Sequence, residues 1–229
     1  MTTLARRIVV VGTGTGVGKT HVTLALVRAL EARGADATAW KPVVTGTASP
    51  DGDDARALAA ALHRPLEPPV FSAPEPVSPH LAAARSGRAV DLDAIAARAR
   101  ALSAAHELVV VETAGGLFSP LGPGRTNADV ARALAPCAVL LVAPDRLGVL
   151  HDVGAALRAA RVEALAVDAV ALSAPEAPDA STGTNAGELV ALGIAPRVVA
   201  FPRGAFDAAE SLSAAGAVLE AVGLASAPD

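Results

Sequence analysis

Aromatic side chains are nearly missing from this chain of 229 residues, at 2% of positions, with four Phe, one Trp and no Tyr. The core must therefore be aliphatic, and aliphatic residues supply most of the 52% hydrophobic content. Long apolar runs are missing too. The longest stretch, Leu134 to Pro144, falls well short of the ~18 uninterrupted residues a spanning helix needs. The positive mean hydropathy of +0.44 comes from Ala and Val interspersed with Arg, Asp, Glu, Gly and Pro, as in a soluble globular protein. A single cysteine, Cys137, excludes an internal disulfide and any cysteine-based zinc or iron–sulfur site. Following Pro136 at the start of a strand, it reads as a small buried hydrophobe in a reducing compartment. No block of like charge occurs among 19 basic and 23 acidic residues, net −4. That leaves no electrostatic footprint for nucleic acid or an anionic membrane. Arg6-Arg7 precede only the four apolar residues Ile8–Val11, whereas a secretory signal needs ~7–15, so the expected location is the cytoplasm.

What is present is an alternation. Ile8–Val11, Ala37–Trp40, Leu108–Val111, Ala138–Val142, Leu165–Leu172 and Arg197–Ala200 read as short buried strands. Between them, Thr20–Arg33, Asp53–Leu62, Leu92–Ala105, Ala128–Leu134, Val149–Ala160 and Asn185–Leu192 read as helices, with Ala208–Val222 as the last. Gly34 stops the first helix, and the Pro-rich passage from Pro65 to Pro79 cannot stay regular for long. Continuous apolar strands alternating with helices predict an α/β fold with a doubly wound, mainly parallel sheet, covered on both faces. No repeat or linker divides the chain, so one domain is expected over residues 1–229. Ligands of such sheets bind beyond the carboxyl ends of the strands, which directs attention to the segments that follow them.

The first such segment is Gly12-Thr13-Gly14-Thr15-Gly16-Val17-Gly18-Lys19-Thr20, between a strand and a helix. This is a P-loop pattern, in which backbone amides surround phosphates, the Lys reaches the β/γ oxygens and the Thr hydroxyl holds Mg²⁺. Its spacing departs from the common form, with Thr13 where the first Gly is usual and Gly12 one residue earlier. The second is Leu108–Val111 delivering Glu112 at a strand end, before Thr113-Ala114-Gly115-Gly116. Beside a P-loop, such a carboxylate faces the metal opposite the Thr hydroxyl. The third is Lys41-Pro42-Val43-Val44-Thr45-Gly46, read as a turn in which a lysine and a hydroxyl could hold an anionic acceptor near the γ-phosphate, the alternative being a lysine that snorkels into water. In Asp51-Gly52-Asp53-Asp54 the carboxylates either cap a helix or supply a second metal-side acid. His21, His63 and His106 show no metal-ligand spacing, and His80 reads as an ordering residue.

Together these residues resemble the dethiobiotin synthetases of biotin biosynthesis, P-loop enzymes. GTGTGVGKT resembles that family's G-T-x-T-x-V-G-K-T, and Lys41–Gly46 its K-P-V-x-[ST]-G. Asp54 with Leu58 matches D-x-x-x-L, Ser78–Ala83 matches S-P-H-x-A-A, and Val111–Gly116 matches V-E-x-A-G-G. The resemblance implies an ATP- and Mg²⁺-dependent cyclo-ligase. It would convert 7,8-diaminononanoate and CO₂ to dethiobiotin through a carbamate and a carbamic-phosphoric anhydride, releasing ADP and phosphate. It further implies catalytic roles for Lys19, Lys41 and Thr15, substrate contacts from Thr15 and Thr45, and metal ligation by Thr20, Asp54 and Glu112, with Asp53 as the other candidate carboxylate. Gly16, Val17, Gly18, Lys19, Thr20, His21, Asp54, Glu112, Gly115, Pro202 and Glu210 would contact ATP. A homodimer, with the substrate near the subunit interface, is also implied.

Three departures stand out. Thr113 replaces a usual Gly, Ser173 a base-contacting Asn, and Leu147–Asp152 lacks the Asn of L-G-x-x-N-H. Three other readings remain. One is a cobyrinate-amidating type of ligase, which would need a glutaminase domain. Another is a partner-binding switch ATPase, which would carry a lysine where Gly14 stands. The third is a relative that has lost ring closure.

Overall fold

The computed structural model describes residues 7–47 and 53–224, with the side chains of residues 53 and 54 outside that description. In chain order its elements begin with β1 (Arg7–Gly12), α1 (Lys19–Ala32), β2 (Ala37–Trp40), β3 (Val43–Thr45), α2 (Asp53–Leu62), β4 (Phe71–Ala73), α3 (Pro79–Ser86), α4 (Leu92–Ala105) and β5 (Leu108–Glu112). They continue with β6 (Pro120–Gly122), β7 (Arg125–Thr126), α5 (Asn127–Ala133), β8 (Ala138–Pro144), α6 (Val149–Val162), β9 (Ala169–Ser173), α7 (Asn185–Ala191), β10 (Val198–Phe201) and α8 (Ala209–Ala221).

The six predicted strands form one sheet in the order β2-β5-β1-β8-β9-β10, and every pairing in it is parallel. Successive residues of a strand face opposite sides of a sheet, and two buried clusters follow from that alternation. Val9, Val11, Val109, Val111, Val139 and Leu141 face one layer, built from α3 to α7. Ile8, Val10, Val110, Leu140 and Val142 face the other, built from α1, α2 and α8. With both faces covered, the strands need no polar alternation, which is why they read as unbroken apolar runs. β1 lies at the centre with β5 on one side and β8 on the other. The crevice beyond its carboxyl end is where the chain's crossovers diverge.

Three local differences from the sequence expectation have physical causes. The segment after Lys41 is not a turn. Val43–Thr45 pairs in parallel with Phe71–Ala73, a second small sheet inside the Pro-rich passage, and Trp40 anchors that passage by donating from Nε1 to the Pro68 carbonyl at 3.0 Å. Helix α3 is an additional element: Pro79 occupies its first turn, three alanines favour it, and Gly87 ends it in the left-handed region at φ 64°. The strand expected from Leu165 starts only at Ala169. The chain leaves α6 through Ala164 at φ 52° and crosses from the helix layer to the sheet over 165–168.

Cys137 is half-buried just before β8, not within it. Among the described residues no helix is long and apolar enough to cross a membrane. Leu141 is fully buried in the interior strand β8, so Leu141→Ala should cost about 2–5 kcal/mol of stability through lost burial and a residual cavity. Urea titration followed by the fluorescence of the buried Trp40 measures this; a cost below about 1 kcal/mol would mean that the layer over β8 closes up freely.

Candidate functional site

β1 ends at Gly12 and α1 begins at Lys19, so the glycine-rich loop lies directly over the carboxyl end of the central strand. Gly18 caps α1 at φ 94°, a conformation that costs L-residues strain. A Cβ on it would also stand 2.3 Å from Ser173 Oγ. The first helical bond runs from Val22 N to Gly18 O at 3.1 Å. The amides before it therefore have no helical acceptor and carry the positive end of the helix dipole toward the loop. Lys19 is buried and arches back to donate from Nζ to the Gly14 carbonyl at 2.9 Å.

Opposite the loop lies the carboxylate of Glu112, with 0% exposure at the end of β5. Its Oε1 accepts from Thr20 Oγ1 and from Lys41 Nζ, each at 2.8 Å. Lys41, at the end of the adjacent strand β2, is thus a buried ion-pair partner and does not snorkel into water. Glu112 Oε2 is buried without a hydrogen-bond partner among the described residues. A bare carboxylate oxygen beside a threonine hydroxyl is a hard-oxygen donor set that suits Mg²⁺. Asp54 belongs to α2, but its side chain and that of Asp53 lie outside the described residues, as do Asp51 and Gly52. Among the described residues no group of three or more His, Cys, Asp or Glu could hold a metal ion.

These groups face a cavity of about 660 Å³. Of the expected site residues, Thr15, Gly16, Gly18, Lys19, Thr20, His21, Lys41, Thr45, Glu112 and Gly115 line it. Val17 does not; it faces a neighbouring cavity of about 680 Å³, together with Gly12–Thr15, the 116–120 loop and α6. Pro202 stands behind His21, whose Nε2 lies 3.2 Å from the Pro202 carbonyl and whose ring meets Phe201 edge-on. Glu210 is exposed in the first turn of α8, outside the cavity wall. His80 bonds Ser78 Oγ through Nδ1 at 2.9 Å and His106 pairs with Asp36, so both histidines have structural partners.

Further residues complete the wall. Ser78 and Pro79, within the stretch matched to S-P-H-x-A-A but given no role by the sequence reading, enter from the start of α3, and Ser119, which that reading missed, from the loop after β5. Ser119 lies three residues beyond the segment singled out after that strand. Asn127, buried at the start of α5, clamps the loop by donating from Nδ2 to the carbonyls of Ala114 and Gly116 at 2.7 and 2.8 Å. Nothing in its local sequence marks it. Thr113, at a usually Gly position, turns its hydroxyl to the Val10 carbonyl at 3.1 Å and is buried, so it braces β5 against β1 without entering the cavity.

Cys137 stands at the amino end of β8, away from all of this. Burial pushes its thiol up to about 11, with Asp168 adding to the shift and Arg7 opposing it. At pH 8 the thiol should label slowly with Ellman's reagent in the native protein and rapidly in urea; equal rates would contradict its burial.

Two kinds of comparison identify relatives. The family model described as an AAA domain matches residues 6–216. The ATP-dependent dethiobiotin synthetase BioD of Anaeromyxobacter dehalogenans is 43% identical over 82% of this chain and 85% of its own. The enzyme of the same name from a Caulobacter species is 45% identical over 74% and 77%, and that from Streptomyces coelicolor 36% over 86% and 84%. Among solved structures, chloroplast FtsY from Physcomitrella patens superposes with a TM-score of 0.54 at 18% identity. The match covers 94% of this chain but only 66% of that one, and it bears on fold alone. With identity at this level over most of both chains, and with the P-loop, Lys41 and Glu112 converging on one cavity, the chain belongs to the dethiobiotin synthetase family.

Proposed function

We propose that this protein is an ATP-dependent dethiobiotin synthetase, a ligase that closes the ureido ring of dethiobiotin from 7,8-diaminononanoate and CO₂ and releases ADP and phosphate. The observation that carries the proposal is the meeting of Lys41, Glu112 and Thr20, from three different elements, with the P-loop around one cavity. Nucleotide phosphates would lie against the loop amides and Lys19. A magnesium ion would be held by Thr20 and Glu112, with Asp54 the further candidate, and supplies charge neutralisation at the phosphate oxygens.

The diamine, carrying CO₂ as a carbamate on one nitrogen, is an anion approaching a polyanion. Lys41 and Lys19 lower that barrier by placing fixed cations on the path, in a buried setting where each is worth more than in water. Thr15 and Thr45, both on the cavity wall, would orient the carbamate and amines. Phosphorylation gives a carbamic-phosphoric anhydride, and the second amine displaces phosphate. No nucleophile of the protein is required; positioning and charge supply the rate. We further propose a homodimer. Leu147, an apolar side chain 76% exposed just before α6 in the segment compared with L-G-x-x-N-H, is one that a second subunit would cover, which supports that reading.

The direct test is phosphate release from ATP and Mg²⁺ with bicarbonate, with and without the diamine. Release should require the diamine; diamine-independent hydrolysis would overturn the proposal. Lys41→Ala should abolish dethiobiotin formation while nucleotide binding, followed calorimetrically, persists. Unchanged turnover would remove Lys41 from the chemistry. Glu112→Gln keeps an acceptor for Thr20 but removes the charge. It should make nucleotide affinity insensitive to magnesium, and retained magnesium dependence in a titration would show that the ion is held elsewhere.

A further inference from the structure

The 660 Å³ and 680 Å³ cavities adjoin, and the only described residues lining both are Thr15 and Ser119. Ser119 is held on several sides. Its Oγ accepts from Gly116 N–H at 2.8 Å and its N–H donates to the Gly116 carbonyl at 3.0 Å. Leu117 N–H ties the same loop to the Gly12 carbonyl at 2.7 Å, and Asn127 clamps it from behind. A hydroxyl that accepts a backbone N–H keeps its own proton to give. The proton of Ser119 goes to no described residue, and neither does that of Thr15. Between them lies Gly115 at φ 77°, where a Cβ would stand 2.7 Å from Ser119 Oγ and 3.7 Å from Thr15 Oγ1. The missing side chain leaves an open point flanked by two hydroxyl donors.

The geometry points to Ser119 as a catalytic hydrogen-bond donor that stabilises the oxyanion of ring closure. This rests on the proposed dethiobiotin synthetase reading. In that step the free amine nitrogen bonds the carbonyl carbon of the carbamic-phosphoric anhydride and the C=O electron pair moves onto oxygen. Collapse of this tetrahedral species breaks the carbon–oxygen bond to phosphate. Phosphate departs with the bonding pair, and the amine proton leaves with it. The charge that develops on the carbonyl oxygen is transient, and a pinned neutral hydroxyl meets it without reorganisation. Lys19 and Lys41 face the inner cavity, where the phosphates would lie, so the donor at the junction acts on the later step and not on phosphoryl transfer.

The distinguishing measurement is dethiobiotin formed per phosphate released, with melting temperature and ATP affinity recorded alongside. The wild type should give one product per phosphate. Ser119→Ala should slow ring closure on the order of 10²-fold, and water then consumes the anhydride, so the ratio should fall far below one while ATP affinity holds. Ser119→Cys, nearly isosteric with a weaker donor, should also lower the ratio, and Ser119→Thr, which keeps the hydroxyl, should restore it. A ratio that stays at one in Ser119→Ala and Ser119→Cys, whether turnover is unchanged or both steps slow together with the melting temperature, overturns the inference and makes Ser119 a loop brace only. Wild-type protein that releases no phosphate in response to the diamine overturns the proposed function, and this inference with it.

Discussion

The buried carboxylate of Glu112 is the constraint around which the site is organised. One of its oxygens accepts from both Thr20 and Lys41, so a single atom ties the end of β5 to the first turn of α1 and to the end of β2. An ionised group with no exposed surface is costly unless it is paired, and here the pairing groups are the ones a phosphate-handling site needs. Its other oxygen lacks a protein partner among the described residues. That bare oxygen, beside a threonine hydroxyl at the cavity wall, supports the metal site proposed above.

The sheet makes this concentration of charge tolerable. Parallel strands bring the ends of β1, β2 and β5 to the same edge, so residues distant in sequence reach the site from the same direction, and the core beneath it is mostly aliphatic. A core with almost no aromatic residues packs through small and branched side chains, with valines interleaved on both faces of the strands and alanines letting the helices approach closely. Trp40, Phe71 and Phe201 are the buried aromatic exceptions, and Trp40 holds a loop as well. It is fully buried and bonded to the Pro68 carbonyl, which fixes the Pro-rich passage beside Lys41.

Loop rigidity then decides what the cavity presents. The segment after Glu112 is held by Asn127, by the Leu117 bond to Gly12, by the Ser119 turn and by Thr113 on Val10. These contacts place the uncommitted hydroxyl of Ser119 near that of Thr15 at a junction between cavities, an arrangement with no local sequence signature. A second knot, centred on Asp145 with Asn185 and the Gly183 amide, fixes the loops after β8 and β9. There Asp179 accepts from Ser181 and from the Leu147 amide, which hold its carboxyl down to about 2.

The sequence by itself determined the six core strands and their helices, because burial on both faces imposes apolar runs that are read directly. It also determined the P-loop, because phosphate binding through backbone amides demands glycines at fixed spacing, and it picked out Glu112 and Lys41 because each closes a strand. Only the tertiary structure decided that Lys41 is buried against Glu112, since a lysine at a strand end reads equally well as solvated. It alone showed β3 and β4 pairing, because a three-residue strand carries too few side chains for a pattern. It alone brought Ser78, Ser119 and Asn127 to the site, since their places depend on hydrogen bonds between loops and on a helix that the Pro-rich passage conceals. Periodicity records which way a residue faces, while contacts across the chain decide what it meets there.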